Sequence, residues 1–214
     1  MRFLRNRALS AAILLLCSLR AANSAELQAG FYATHRSEPF LLNRRIEPAL
    51  LAGLRIWDAH LATWRLAQPA EVVGARPQVI VLHLWADWCA PCRAEFPVVR
   101  ELMGAIARAH GDRVQFVLLS ETSSPDAMRS FLDKQRGSVP AGPHYLDYGE
   151  GVAALLRKDL PAPLSYPMTL VLDGERVVRH AVVGPVTDRR AALLATISLL
   201  LAESPKPAPP ARGR

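Results

Sequence analysis

Residues 79–97 read VIVLHLWADWCAPCRAEFP, and most of what this chain is follows from them. Val79 to Trp85 is continuous, apolar and β-branched, as expected of a strand buried on both faces of a sheet. Beyond Pro97, apolar residues recur at spacings of three and four through Val98/Val99, Leu102, Met103, Ile106 and Ala109. That period predicts a helix reaching Gly111. Cys89 falls where the strand gives way to the helix. A thiolate there faces unpaired backbone N–H groups and the positive end of the helix dipole, which lowers its pKa. Pro91 suits the first helical turn because it has no N–H to lose. Cys92, one turn inside, can attack a mixed disulfide formed at Cys89.

The chain has three cysteines, Cys17, Cys89 and Cys92. Two cysteines scattered at random over one domain would fall three apart roughly 1% of the time. A structural disulfide normally closes a longer loop, because a very short one removes little unfolded-state entropy. A zinc site needs four ligands, and two thiolates are on offer. The pattern points to a dithiol that cycles between open and closed forms, with a structural turn as the alternative.

The 214 residues are 50% hydrophobic, 21% charged and 7% aromatic, a globular composition that excludes a collagen, a coiled-coil rod or an acidic disordered chain. The formal net charge is +7, but its place matters more than its size. Arg2, Arg5, Arg7 and Arg20 stand at one end and Lys206, Arg212 and Arg214 at the other, so residues 26–203 are formally neutral. A nucleic-acid surface needs its cations on the folded body. None is expected here.

Residues 1–25 have the three parts of a secretory signal: a cationic start, an apolar run from Ala8 to Leu19, and small or polar residues up to Ala25. The run is about a dozen residues, against roughly 20 for a membrane-spanning helix. Cleavage after Ser24 or Ala25 is expected, with an uncleaved anchor as the lesser reading. Lipid attachment at Cys17 is disfavoured by the bulky Leu16 before it. Export is the expectation, in bacteria to the periplasm. Residues 204–214, with Ser204-Pro205-Lys206-Pro207-Ala208-Pro209-Pro210, read as an extended solvated tail.

The Trp88-Cys89-Ala90-Pro91-Cys92 stretch after an apolar strand resembles the thioredoxin active site. Its extension Cys92-Arg93-Ala94-Glu95-Phe96-Pro97 resembles the TlpA/ResA branch of exported thioredoxin-like proteins, where Cys-x-x-Glu-x-Pro follows the pair. Tyr166-Pro167-Met168-Thr169 is similar to that branch's Pro-x-Thr strand, with Pro167 at the place of the family's cis-proline. The resemblance covers about residues 76–203 and implies an α/β, thioredoxin-like fold: a central mixed sheet with flanking helices and an α/β insertion. Val114–Ser120 reads as the next strand, Ser124–Arg136 and His144–Asp147 as a helix and strand of the insertion, and Glu150–Leu160 as a helix. Met168–Asp173 and Arg176–Val183 read as a hairpin, and Asp188 as the cap of a helix reaching Leu201. Residues 26–75 fit either a helix (Ile46, Leu50, Leu54, Trp57, Leu61, Trp64) or a hairpin of Leu54–Asp58 and Thr63–Leu66. Analogy favours the hairpin, packed on the sheet and away from the thiols.

The same resemblance implies roles. Cys89 attacks, Cys92 resolves, and the Pro167 loop pairs with an extended substrate segment, with Trp88, Ala90, Pro91 and Tyr166 around the thiols. Glu95, one helical turn past Cys92, would sit near the sulfurs, raise thiolate pKa and relay protons; a solvent-facing charge is the plainer reading. His83 departs from the pattern, since thioredoxins carry an aspartate there and this branch often an asparagine. A histidine behind Cys92 could take its proton, or could simply be a satisfied core residue. Trp85 and Trp88 are expected to pack and to shield the dithiol.

The function so implied is an exported thiol–disulfide oxidoreductase that reduces client proteins such as apocytochrome c. It needs no metal or organic cofactor, because the dithiol itself carries two electrons. Its partners would be disulfide-containing clients and a membrane or periplasmic redox partner. A thiol peroxidase is disfavoured by Ala86 where a Thr-x-x-Cys setting needs threonine. A copper-delivery protein is disfavoured because relatives of that kind space their cysteines one residue wider.

Overall fold

A computed structural model describes residues 41–74, 77–122, 124–147, 151–158 and 165–203, all within one unit, residues 38–214. The signal and its cleavage site, the Pro-rich tail, and Glu150, Asp159 and Leu160 at the ends of the expected helix over residues 150–160 lie outside the described residues.

Seven strands form one mixed sheet: β1 (Arg55–Asp58), β2 (Thr63–Leu66), β3 (Val79–Ala86), β4 (Val114–Glu121), β5 (His144–Asp147), β6 (Met168–Asp173) and β7 (Val178–Val183). Their order across the sheet is β2-β1-β5-β4-β3-β6-β7. Strand β3 sits at the centre, parallel to β4 and antiparallel to β6. All eight of its residues are buried, as its unbroken apolar run requires. Each fully buried Val, Leu or Ile contributes about 1.5–3 kcal/mol, so this strand anchors the fold.

Alternation along β3 assigns its two faces. Val79 and Val81 pack with Val99, Leu102 and Ile106 of helix α3 (Ala90–His110) and with Leu193 and Ile197 of α6 (Arg190–Glu203). Ile80, Leu82 and Leu84 pack on the opposite face, over Leu51 of α1 (Pro48–Ala52), Val72 of α2 (Pro69–Val73) and Leu156 of α5 (Val152–Lys158). Helix α3 starts at the carboxyl end of β3, with Cys89 as its N-cap and Pro91 in its first turn. It ends at Gly111, whose φ of 57° suits a residue without a Cβ. Pro97 lies inside α3 and removes one helical rung.

Helix α4 (Pro125–Lys134) and β5 form the insertion, β5 lying parallel to β4 and carrying the sheet outward to the β1–β2 hairpin. The helical stripe read from Ile46 to Trp64 is divided among α1, β1 and β2. Gly53 ends α1, and the pairing of Arg55 with Leu146 and of Ile56 with Tyr145 claims the following backbone for the sheet edge. Leu61 is left 70% exposed at the turn.

Asp188 is not a helix cap. It lies in a 3-10 turn, Thr187–Arg189, that precedes α6, and no side chain caps that turn. Just before this turn the N–H of Val186 donates to a buried carboxylate on α3. The Asp173 carboxylate organises the β6–β7 turn instead, accepting from the N–H groups of Glu175 and Val177 at 2.9 and 3.0 Å. Asp147 caps α5 by accepting from Ala153 N–H at 2.6 Å. Gly151 is required beside it, since a Cβ there would collide with the Asp147 carboxylate.

Candidate active site

Cys89 and Cys92 are joined in a disulfide with their Cα atoms 5.3 Å apart. Cys89 is 4% exposed and Cys92 is 0% exposed, so only the first sulfur has a path to a partner. The N–H of Cys92 points at Cys89 Sγ at 3.2 Å, as the unpaired donors of a helix start should. In the reduced protein the same donor and the helix dipole favour the Cys89 thiolate. The loop entering the helix is fixed by Cys89 N–H to Ala86 C=O and by Arg93, whose guanidinium donates to Asp87 C=O at 2.8 Å.

The disulfide sits in a tight apolar cluster with Trp85, Ala86, Phe96, Met128 and Leu146. Trp85 is fully buried and meets Phe96 edge-on at 5.2 Å. Trp88, by contrast, is 62% exposed and stands edge-on to Tyr166 at 5.6 Å. Ala90 and Pro91 are also exposed. Tyr166 packs against the cysteine cluster and donates its hydroxyl to the Glu121 carboxylate. The Tyr166–Pro167 bond is cis. The last β3–β6 pair is Leu84 with Met168, which sets Pro167 level with Trp85, and the Pro167 carbonyl accepts from Gly184 N–H at 2.8 Å. Trp88, Ala90 and Pro91 thus flank the cysteines along the chain with their surfaces exposed, and Tyr166 reaches the same cluster from the strand beside β3.

Glu95 does not face solvent. It is 3% exposed, and its Oε2 accepts from Val186 N–H at 2.8 Å. Burial pushes its pKa up to about 7, against the pull of that hydrogen bond. His83 is completely buried on the α3 side of β3. Its Nδ1 lies 3.0 Å from Thr169 Oγ1, and its Nε2 lies 3.5 Å from Glu95 Oε1. Burial, with a smaller contribution from His144, lowers its pKa to about 4. Both ring nitrogens are therefore directed at Thr169 and Glu95. Between the two pKa values the pair is neutral and not a salt bridge, since both shifts penalise charge.

Two parts of the site escaped the sequence reading. Thr169 was visible only as the end of a Pro-x-Thr pattern, with no sign of a histidine partner. Trp64, on the hairpin expected to keep clear of the thiols, packs against their cluster and donates Nε1–H to Pro125 C=O at 3.0 Å. Among the described residues, no group of three or more His, Cys, Asp or Glu could hold a metal ion.

No family model matches the chain. It is 29% identical over 146 residues to the thioredoxin-like protein YneN of Bacillus subtilis, covering 67% of this chain and 78% of that one. It is 26% identical over 167 residues to the thiol:disulfide interchange protein HelX of Rhodobacter capsulatus, covering 75% and 81%. A putative thiol:disulfide interchange protein DsbE from Chlorobium tepidum superposes with a TM-score of 0.50 at 21% identity, over 73% of this chain and 98% of that one. A thioredoxin-like protein from Porphyromonas gingivalis superposes with a TM-score of 0.51 at 14% identity, over 74% and 95%. These two structures speak for the fold.

A disulfide at the start of a helix, beside a cis-proline that opens the strand neighbouring β3, makes this a thioredoxin-like thiol–disulfide oxidoreductase. Within that class its Cys-x-x-Glu-x-Pro extension and its Pro-x-Thr strand are similar to those of the TlpA/ResA-like proteins.

Proposed function

We propose that the protein works outside the cytosol as a reductase of disulfides in client polypeptides, apocytochrome c among them. The observation that carries this reading is the unequal access of the two sulfurs, with Cys89 alone reachable and ringed by an exposed Trp88 and the Tyr166–Pro167 turn. The Cys89 thiolate attacks one sulfur of a client disulfide and expels the other as a thiolate. A mixed disulfide now joins Cys89 to the client. Cys92, deprotonated, attacks Cys89 Sγ, closes the ring disulfide and expels the client's second thiolate. The client gains two electrons, and a dithiol on a membrane or periplasmic partner restores the pair.

Export is supported by the three-part leader at residues 1–25. Among the described residues, no helix is long and apolar enough to cross a membrane. Direction is supported by the Ala90-Pro91 pair, which lacks the histidine that favours the thiolate form in strongly oxidising relatives. Equilibration of Cys89/Cys92 against a thiol redox buffer tests it. A potential near about −270 mV is expected; one near about −120 mV would make the protein an oxidant and overturn the reading.

A further inference from the structure

His83 Nε2 and Glu95 Oε1 are both buried and have no hydrogen-bond partner, and they lie 3.5 Å apart. That separation is longer than a formed hydrogen bond, yet each is the other's evident partner, and leaving both unpaired is costly. One proton between them answers both. The remaining atoms of the two side chains are already committed, Glu95 Oε2 to Val186 N–H and His83 Nδ1 to Thr169 Oγ1. The result is a file of groups crossing four elements: the turn after β7, helix α3, strand β3 and strand β6. Thr169 stands two residues after Pro167, on the strand that frames the sulfurs.

We propose that His83 and Glu95 share their proton as one unit, whose state sets the sense of the hydrogen bond to Thr169 and so couples proton uptake to the Pro167 strand. His83 and Thr169 are positioning residues in this account, which rests on the dithiol reading of the site. The proton count is explicit. With Glu95 protonated, its Oε1–H donates to Nε2, so the ring carries its proton on Nδ1 and donates to Thr169 Oγ1. When the unit loses one proton to solvent, the ring carries its proton on Nε2 and donates to the carboxylate. Nδ1 then accepts the Thr169 hydroxyl proton. The imidazole stays neutral in both states, and only its tautomer exchanges.

The surroundings leave few competing charges. Burial lowers the pKa of His144 on β5, against the pull of its hydrogen bond to the Pro140 carbonyl. His180 on β7, paired in register with Val171 of β6, is the other buried histidine of the sheet. Cys92 stands one turn before Glu95 on α3, and no lysine or arginine is among the buried residues described. Burial of Glu95 and His83 agrees with loss of the unit's proton near pH 7 while the ring remains uncharged.

The tautomer of His83 is read directly from the 15N shifts of its ring in the oxidised protein between pH 5.5 and 8.5, with no client present. The account expects Nδ1–H below the midpoint and Nε2–H above it. The preference is about tenfold one unit to either side of a midpoint near 7. In Glu95→Gln the ring should keep one tautomer throughout. In Thr169→Val the exchange should survive, while the pH profile of client attack flattens. A ring fixed in one tautomer in the native protein, or one that charges to imidazolium in this range, would overturn the proposal. Neither outcome depends on thiol exchange, so failure of the dithiol reading is distinguishable by its own assay.

Discussion

Replacing Cys89 by serine is expected to lower disulfide exchange at least ~10³-fold, because a neutral hydroxyl cannot stand in for a thiolate nucleophile. Cys92→Ser should behave differently. It keeps the reachable sulfur and loses only the group that resolves the intermediate, so first attack proceeds and a mixed disulfide accumulates. The difference follows from burial: Cys92 has no exposed surface, while Cys89 has a small aperture. Stopped-flow reaction with a protein disulfide, followed by non-reducing gels, checks both variants. Trapping through Cys92 in a Cys89→Ser protein would reverse the assignment of the two sulfurs.

The second large effect is a pair of opposite tilts in stability against pH. Glu95 has its pKa raised from 4.5 to about 7 in the folded protein, and His83 has its pKa lowered from 6.5 to about 4. Between about pH 4.5 and 6.5 the unfolded pair holds one proton, on the histidine. The folded pair also holds one, on the carboxyl. Equal proton counts mean that the pair adds no slope to stability in this window. Each single variant exposes the slope of the residue that remains. In His83→Asn only Glu95 titrates, the native state binds the extra proton, and stability falls as pH rises from about 4.5 to about 7. In Glu95→Gln only His83 titrates, the unfolded state binds the extra proton, and stability rises with pH from about 4 to about 6.5. Each tilt is on the order of 3 kcal/mol across its window. Burial is the first cause of both shifts, so each survives loss of the partner. Urea unfolding at pH 4.5, 5.5, 6.5 and 7.5, compared with the native protein, reads the difference. Tilts of the same sign would contradict the assignment of a neutral pair.

Much of this architecture could be read from residue order because it follows from local pattern. The unbroken β-branched run at 79–85 suits a strand buried on both faces, and Pro91 just after Cys89 suits the first turn of a helix. The β1–β2 hairpin was harder, since Leu54, Trp57, Leu61 and Trp64 also satisfy a helical period. What decided it was β5, nearly 90 residues away, which offers backbone partners to Arg55 and Ile56. The fine structure of the site was less legible for the same reason. Trp64 meets Pro125 across 61 residues, His83 meets Thr169 across 86, and Glu95 meets Val186 across 91. Periodicity tells which face a side chain occupies, not which atom it finds there. Glu95 is the sharpest case, because the family resemblance and its charge gave it two readings, one beside the sulfurs and one in solvent. It is buried, with the turn that leads into α6 donating to it, and that partner lay outside either reading. The expected cap at Asp188 fails differently, because the chain makes a 3-10 turn over Thr187–Arg189 before α6 begins at Arg190, which puts Asp188 inside that turn.

The account stands on Cys89 being the sulfur that meets the client. The direct measurement is to reduce the protein, alkylate it with limiting iodoacetamide, locate the label by mass spectrometry, and follow exchange with a protein disulfide. Label should enter at Cys89 first, and exchange should disappear in proportion to it. Exchange that persists at full rate in protein carrying the label on Cys89 would contradict the account.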